Sequence, residues 1–235
     1  MAETKQKAPA AQEQRAPQRR PDQFWSKYSK PLSIGLLLVV LAVGGYFIYR
    51  SQVTIPNNRK AEEAVFKAEE YFRLDSLDKA LNGDGASLGL LRVISRYSGS
   101  DAANRARLMA GSIYLRKGDF KNALKHLEDF DTDVPQVKAR AIALMADTYA
   151  EMGASTNNNA NKEKAADLYK QAAATFEEDH ANAGEYLFRA GYLYESMGKN
   201  KEAIDAYKQI KQKHPGSDRA YQIDKYLARL GAVAE

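Results

Sequence analysis

The chain repeats one short pattern three times, as AGSIYLRKG at residues 110–118, MADTYAEMG at 145–153 and AGYLYESMG at 190–198. Each copy places a small residue three positions before a tyrosine and a glycine four positions after it. Residues three apart lie on one face of an α-helix, and glycine commonly follows the last helical turn. The pattern therefore predicts three equivalent helices, each with a small residue beside which a second helix can pack closely.

A second set of positions follows the first with the same spacing in the first and third copies. Nine residues after the tyrosine comes an alanine, then an apolar or aromatic residue four later, and a proline twelve residues after the alanine. These positions are Ala123, Leu127 and Pro135 in the first copy, and Ala203, Tyr207 and Pro215 in the third. The combined pattern resembles the tetratricopeptide repeat. This resemblance implies stacked helical hairpins, in which tyrosine fills the space between hairpins and glycine and proline end the helices.

The middle copy departs from this spacing. Sixteen residues separate Tyr149 from Ala165, with Tyr169 next, so the turn holds about seven extra residues, and Glu177 stands near the place of the exit proline. The extra residues include Asn157, Asn158, Asn159 and Asn161. We expect residues 154–162 to form an exposed, mobile loop, either as a tolerated insertion or as a binding loop.

Apolar residues at helical spacing continue on both sides of the three copies. Residues 60–97 suggest a degenerate leading hairpin, interrupted by NGDG at 82–85. Residues 217–230 suggest a C-terminal cap helix with Ser217 as its N-cap. Its expected apolar side consists of Tyr221, Ile223, Tyr226, Leu227 and Leu230. No segment shows the period of two that is typical of a strand, so we expect an all-α fold.

The segment PLSIGLLLVVLAVGGYFIY, residues 31–49, contains nineteen residues without a charge. A helix of this length spans about 28 Å, close to the thickness of the hydrocarbon core of a membrane. A cleaved signal peptide is the alternative. Thirty residues precede the segment, however, and Arg50 follows its bulky aromatic end, which favours a permanent anchor. We therefore expect a single transmembrane helix at residues 31–50, followed by a solenoid of tetratricopeptide hairpins.

Basic residues flank this segment unevenly. Within about fifteen residues of the segment, the N-terminal side has Arg15, Arg19, Arg20, Lys27 and Lys30, and the other side has Arg50, Arg59 and Lys60. The positive-inside rule places the N-terminus in the cytoplasm, so the C-terminal domain is exported, to the periplasm in a Gram-negative bacterium. The expected divisions are a disordered cytoplasmic tail at residues 1–30, a linker at 51–59 and the repeat domain with its cap helix at 60–235.

Charge and composition narrow the classes of function. The net charge is +5, but residues 1–50 hold eight basic and three acidic residues, which leaves 27 of 35 basic and 27 of 30 acidic residues in the remainder. A domain without a basic field is not expected to bind nucleic acid. Cysteine is absent, which excludes disulfides, thiol nucleophiles and thiolate metal ligands.

No catalytic or cofactor motif is recognisable in the chain. Nucleophile-elbow, phosphate-loop and HExxH patterns are absent, and the three histidines, His126, His180 and His214, are scattered over separate helices or their ends. We therefore expect no enzyme activity, no cofactor and no bound metal. Recognition of another protein is the function that remains.

The first helix of each hairpin in such an array lines a concave groove. By the geometry of the repeat, we expect nine residues to form a protein-binding groove. They are Arg105, Leu108, Ser112, Leu115, Arg140, Ala143, Asp147, Phe188 and Tyr192. Some repeats of this family clamp the C-terminal carboxylate of a partner, but Asp147 and Glu185 stand where that clamp needs neutral or basic groups, so we do not expect it here.

The order of the parts resembles the YfgM-like membrane-anchored tetratricopeptide proteins in the form typical of Bacteroidetes. The likeness includes FWSKYSK (24–30), KAEEAVFKAEEYF (60–72), DSLDKALNGDG (75–85), LLRVISRYSGSDAANRA (90–106) and DKYLARL (224–230). The resemblance implies an ancillary subunit of the Sec translocon in the inner membrane, which contacts exported polypeptides or periplasmic chaperones. The alternatives are a scaffold for cell-division or outer-membrane assembly machinery, a tethered accessory to an enzyme, and an enzyme with an unrecognised site.

Overall fold

The computed structural model describes residues 21–232, and within them every regular element is helical. The α-helices are α1 Pro21–Tyr49, α2 Ile55–Arg73, α3 Leu77–Asn82, α4 Leu90–Arg96, α5 Asp101–Arg116, α6 Phe120–Glu128, α7 Pro135–Ser155, α8 Asn159–Thr175, α9 His180–Ser196, α10 Asn200–Lys213 and α11 Ile223–Arg229. A π-helical turn occupies Arg50–Thr54, and Gly83 and Leu88 form an isolated bridge. The expectation of an all-α fold is confirmed.

The contacts divide the chain into two units, one that ends at Val53 and one that begins at Thr54. The first unit contains α1, whose apolar side chains are exposed along the predicted span. This helix is long and apolar enough to cross a membrane. It begins at Pro21, so residues 21–30 are helical and the predicted disordered tail is wrong there. The part of the tail before Pro21 lies outside the described residues.

The predicted linker at residues 51–59 is helical as well. Its first residues belong to the π-helical turn, and α2 begins at Ile55 with Pro56 in its first turn. Proline is tolerated there because the first amide groups of a helix have no partner within the helix. The proline therefore starts α2 and does not interrupt it.

The second unit contains successive helical pairs, α5 with α6, α7 with α8 and α9 with α10. The small residues of the repeated pattern lie where two helices approach most closely. A Cβ atom added at Gly111 would lie 2.6 Å from Leu127, and one added at Gly191 would lie 2.3 Å from the ring of Tyr207. These distances are too short for any side chain, so the packing inferred from the sequence is confirmed.

Buried apolar side chains form two clusters within this unit. One cluster joins α2, α3, α4 and α5, and the other joins helices α7 to α11. The region predicted as one degenerate hairpin, residues 60–97, contains most of α2 and the two short helices α3 and α4. Asp75, with a positive φ of 58°, lies between α2 and α3, and Gly83, with a φ of 87°, follows α3. The Asp84 carboxylate accepts hydrogen bonds from the amides of Ala86 and Ser87.

The three pattern glycines have different roles. Gly118 and Gly198 follow the last turns of α5 and α9 with φ of 74° and 72°, a conformation that favours glycine. Gly153 is buried inside α7, which continues to Ser155. The prediction that glycine ends each first helix is therefore wrong for the middle copy.

The predicted mobile loop at residues 154–162 is also wrong. The insertion lengthens both helices of the middle hairpin, so that α7 has 21 residues and α8 has 17, and only three residues, 156–158, lie between them. Asn158 caps α8, since its side-chain oxygen accepts hydrogen bonds from the amides of Ala160 at 2.9 Å and Asn161 at 3.2 Å.

The predicted cap helix begins six residues later than expected. Residues 217–222 form turns and α11 starts at Ile223, while Ser217 is buried and donates a hydrogen bond to the carbonyl oxygen of His214 at 2.8 Å. Ile223 and Leu227 are buried as predicted, but Tyr221 is 79% exposed. The turns after Pro215 and Gly216 therefore direct Tyr221 away from the core.

Gly191→Ala is expected to destabilise the fold by about 1–3 kcal/mol, because the new Cβ must displace the fully buried ring of Tyr207. The matched control is Gly216→Ala, where nothing lies within 4 Å of the added Cβ, and it is expected to stay within about 0.5 kcal/mol of wild type. Urea denaturation of the full chain in detergent, followed by circular dichroism, measures both. Equal stabilities of the two variants would contradict close packing at Gly191.

Candidate functional site

The residues predicted to line a groove occupy equivalent positions on the first helices of the three hairpins, α5, α7 and α9. Counted from the pattern tyrosine, they stand nine, six or two residues before it or one residue after it. Arg105 and Arg140 stand nine residues before the tyrosine, and Leu108, Ala143 and Phe188 stand six residues before it. Ser112, Asp147 and Tyr192 stand two residues before the tyrosine, and Leu115 stands one residue after it. The structure separates these residues into three environments.

The first environment is the contact between α5 and α2. Arg105 donates two hydrogen bonds to Glu62, of 2.6 and 3.1 Å, and lies 3.5 Å from Glu69. The hydrogen bond from Arg105 lowers the pKa of Glu62 below its ordinary value, against the opposing effect of burial. Leu108 and Ser112 are half-buried on the same helix. Arg105 therefore forms its ion pairs with α2.

The second environment is the contact between α9 and the C-terminal segment. The guanidinium of Arg219 lies 3.9 Å from the centre of the Phe188 ring, and Tyr226 meets this ring edge to face at 4.9 Å. Phe188 is half-buried as a result. Tyr192, one turn further along α9, is 57% exposed. Phe188 therefore stabilises the C-terminal segment, and Tyr192 remains accessible.

The third environment is a cleft of about 580 Å³ that brings together Leu115 of α5 and Asp147 of α7. Its other lining residues are Arg116, Gly118, Phe120, Ala150, Glu151, Tyr169 and Arg189. Leu115, Phe120 and Ala150 supply apolar surface, and charged groups of both signs surround it. Such a mixture of apolar surface and a few convergent polar groups is typical of a binding site.

A continuous polar network joins this cleft to the C-terminal segment. The carboxylate of Asp147 accepts a short hydrogen bond from the hydroxyl of Tyr169 and another of 2.8 Å from Nη1 of Arg189. Arg189 also donates from Nε to Glu185 at 2.8 Å, and Arg219 donates to the second oxygen of Glu185 at 2.6 Å. The network therefore connects α7, α8, α9 and residues 217–222 through five side chains.

The ionisation of these groups follows from their surroundings. Burial raises the pKa of Tyr169 far above its ordinary value, and the negative charge of Asp147 adds to the effect, so this phenol stays protonated. Burial by itself would raise the pKa of Glu185, but the hydrogen bonds and positive charges of Arg219 and Arg189 outweigh it and lower that pKa. At neutral pH, Glu185 therefore remains a carboxylate held between two guanidinium groups.

A second cleft of about 340 Å³ lies along the N-terminal parts of α7 and α9. It is lined by Gln136, Ala139, Arg140, Phe176, Asp179, Asn182, Ala183 and Tyr186. Arg140 is exposed and makes no ion pair within residues 21–232. Ala143 is only 1% exposed and does not line either cleft. Arg140 thus faces a different cleft from Leu115 and Asp147.

The repeated pattern does not identify Tyr169, Arg189 and Arg219 as members of the site. Glu185 and Arg189 stand four residues apart, a spacing that predicts a pair on a helix surface and could have revealed Arg189. Arg219 lies 34 residues after Glu185, and no local pattern connects them. Tyr169 was placed only as the aromatic residue of the second helix.

Two of the histidines are not scattered as expected. His180, the first residue of α9, and His214, which follows α10, place their Nδ1 atoms 3.1 Å apart. Burial lowers the pKa of His214, and the neighbouring His180 lowers it further. In the part of the chain that the structure describes, no group of three or more His, Asp or Glu side chains is placed to hold a metal ion.

Glu185→Gln is expected to cost about 1 kcal/mol of unfolding free energy at pH 7, because two charge-assisted hydrogen bonds in a partly exposed site are weakened. The pKa of Glu185 is lower in the folded state, so its stabilising effect is present above about pH 4.3, the ordinary glutamate value, and is lost as the pH falls through the folded-state value. Urea denaturation at pH 7 and pH 3 should show that the difference in unfolding free energy between variant and wild type is smaller at pH 3.

Glu202→Gln is the control, since Glu202 is exposed on α10 and makes no ion pair among residues 21–232. A difference that stays the same at both pH values would contradict the assigned ion pairs.

Comparison with known proteins supports this architecture. The tetratricopeptide repeat-like domain family matches residues 22–230, which is most of the chain. Searches of curated proteins and of solved structures gave no match. Domains of this kind are typically interaction modules without catalytic activity. The chain therefore belongs to the tetratricopeptide repeat-like family, and its helical hairpins form a scaffold suited to binding other proteins.

Proposed function

We propose that this protein is a membrane-anchored scaffold that binds a polypeptide partner along the two clefts formed by α5, α7 and α9. The observation that carries this proposal is the 580 Å³ cleft, whose apolar residues lie beside fixed charges in a domain of the interaction type. The two clefts share the exposed face of α7, since Arg140 lines one and Glu151 the other. A polypeptide lying along α7 would contact both.

The charges of the larger cleft favour recognition over catalysis. Asp147 is bound by Tyr169 and Arg189, and Arg189 is also bound by Glu185. These contacts hold Asp147, Arg189 and Glu185 in one arrangement and neutralise them by each other, whereas Glu151, the other acid of the cleft, is exposed to water. A general acid or base needs a group that is free to transfer a proton to substrate. We therefore propose that the protein is not an enzyme and needs no cofactor or metal.

We further propose that α1 anchors the protein in the bacterial inner membrane, with the repeat domain in the periplasm. The length and apolar composition of α1 support the anchor. The excess of basic residues within about fifteen residues of the span, five on the N-terminal side against three on the other, supports the orientation. The resemblance to YfgM-like proteins makes the Sec translocon, its exported polypeptides or periplasmic chaperones the first partners to test. Cell-division and outer-membrane assembly complexes are the alternatives.

The natural absence of cysteine provides a direct test of anchor and orientation. We expect Lys201→Cys, on α10, to react with a membrane-impermeant maleimide in intact spheroplasts, and Ala10→Cys to react only after lysis. Wild type is the unlabelled control. Both variants should remain in the membrane pellet after carbonate extraction. Labelling of Ala10→Cys in intact spheroplasts would reverse the orientation, and loss of the labelled N-terminal segment would indicate a cleaved signal peptide.

Photocrosslinking tests the groove. A photoreactive residue at Glu151, which is exposed and lines the larger cleft, is expected to capture partner protein in intact cells. One at Tyr192, which is exposed on α9 at the position equivalent to Asp147, is expected to do the same. Glu202 on α10 is the matched control and should give at least about 5-fold less adduct. Mass spectrometry then identifies the partner.

Equal yields at all three positions, or adducts only from α1, would show that partners do not bind in the groove. A translocon subunit or an exported chain among the adducts would support the finer assignment. A cell-division or outer-membrane assembly protein in their place would overturn that assignment and leave the scaffold role intact.

A further inference from the structure

The geometry points to a specific kind of partner. We propose that the clefts along α7 select an extended polypeptide segment that carries an acidic and a basic side chain about 16 Å apart, the acid at Arg140 and the base at Glu151. This inference rests on the proposed function, since it requires that α7 lie on the binding path. It is carried by one uncompensated charge at each end of that path.

Arg140 is the cation without an ion-pair partner, and its guanidinium donates a hydrogen bond to the neutral hydroxyl of Tyr186 in the same cleft. The equivalent positions in the neighbouring hairpins are both occupied by ion pairs, Arg105 with Glu62 and Glu185 with Arg219. Arg140 has no carboxylate partner among the described residues, although Asp179 lines the same cleft. The Asp179 carboxylate is already engaged as the N-cap of α9, where it accepts from the backbone amide of Asn182 at 3.1 Å and from its side chain at 2.6 Å.

Glu151 is the uncompensated anion. Two arginines line its cleft, but Arg189 is paired with Asp147 at 2.8 Å and Arg116 with Asp75 at 2.7 Å. The Glu151 carboxylate is exposed and forms no ion pair with any side chain in residues 21–232. It adjoins the apolar residues Leu115 and Phe120, so a lysine or arginine could lay its aliphatic chain on them while its charge meets Glu151.

Both charges project from the same side of α7. They stand eleven residues apart, which is close to three full helical turns and about 16 Å along the axis. Asp147 and Arg189 lie between them and join α7 to α9 by their 2.8 Å ion pair. Because that pair is neutral as a unit, the path has one positive end, one negative end and a neutral centre.

The same ion pair favours an extended partner over a helical one. A helix with side chains is about 10–12 Å in diameter and would have to enter clefts that the pair between Asp147 and Arg189 separates. An extended chain can pass over the pair and direct alternate side chains downward, since residues two, four or six apart share a face. At about 3.3 Å per residue, the two charges of the partner should stand four to six residues apart.

Fluorescein-labelled peptides of alternating serine and valine provide the probes. One set carries glutamate and lysine four or six residues apart in both orders, a second carries two glutamates and a third carries two lysines. Fluorescence anisotropy with the full chain in nanodiscs measures their binding. We expect the mixed peptides to bind about 5-fold more tightly than either like-charged set, with the difference reduced at high salt.

Charge reversal at each end tests the assignment to residues. Arg140→Glu makes both ends acidic and should shift the preference to two lysines, whereas Glu151→Lys makes both ends basic and should shift it to two glutamates. Lys201→Glu and Glu202→Lys, both exposed on α10, are the matched controls and should keep the wild-type preference. Circular dichroism confirms that each variant remains helical.

Equal binding of all three peptide sets, or the same preference in wild type and both reversal variants, would overturn this inference. Tighter binding of a helical peptide with its charges eleven residues apart would overturn the extended conformation. The photocrosslinking at Glu151 and Tyr192 separates this failure from that of the proposed function. Adducts in the groove without peptide selectivity would contradict only the charge selectivity. Absence of groove adducts would contradict the proposed scaffold function as well.

Discussion

The fold depends on glycine residues at which the two helices of a hairpin pack closely. At Gly191 the ring of Tyr207 occupies the space that a Cβ would need, and Gly111 and Leu127 form the same contact in the first hairpin. The contact at Gly191 also fixes what surrounds it. The Tyr207 hydroxyl donates a hydrogen bond of 3.0 Å to Glu195, and Glu195 pairs with Arg229 of α11 at 2.8 Å. The absence of a side chain at Gly191 thus lets Tyr207 take the position from which it links the last hairpin to the C-terminal helix α11.

The surface that results is defined more by how its charges are paired than by how many there are. Along the first helices, Arg105 and Glu185 are neutralised by neighbouring segments, and Asp147 is held by Tyr169 and Arg189. Paired charges in partly exposed sites contribute little free energy each, but they fix side-chain positions. Among the described residues, Arg140 and Glu151 have no ion-pair partner, and this difference from their neighbours is the basis of the proposed selectivity.

The spacing of the repeated pattern was sufficient to predict the helical fold and the small-residue contacts, because those contacts are local to one hairpin. Positions that depend on another part of the chain were not predictable in this way. Phe188 was expected in the groove, but Arg219 and Tyr226 pack on its ring. The cluster of asparagines at 157–161 was expected to form a loop, since asparagine favours turns, but Asn158 caps α8 and its neighbour Asn159 is the first residue of that helix. Phe188 is covered by residues distant in sequence, and Asn158 has the other local role that asparagine favours, that of an N-cap, so the spacing of the pattern alone predicts neither outcome.

The lengthened middle hairpin has a consequence for how such arrays change size. Compared with the first hairpin, it has about seven more residues between its pattern tyrosine and the next pattern alanine, or nearly two helical turns. Divided between α7 and α8, this adds about one turn to each helix, and Ala165 and Tyr169 remain buried. An addition of three or four residues divided in the same way would add about half a turn to each helix and direct its buried face away from its partner. A hairpin of this kind can therefore grow without losing its packing only in steps of about seven residues, which makes its length a discrete quantity.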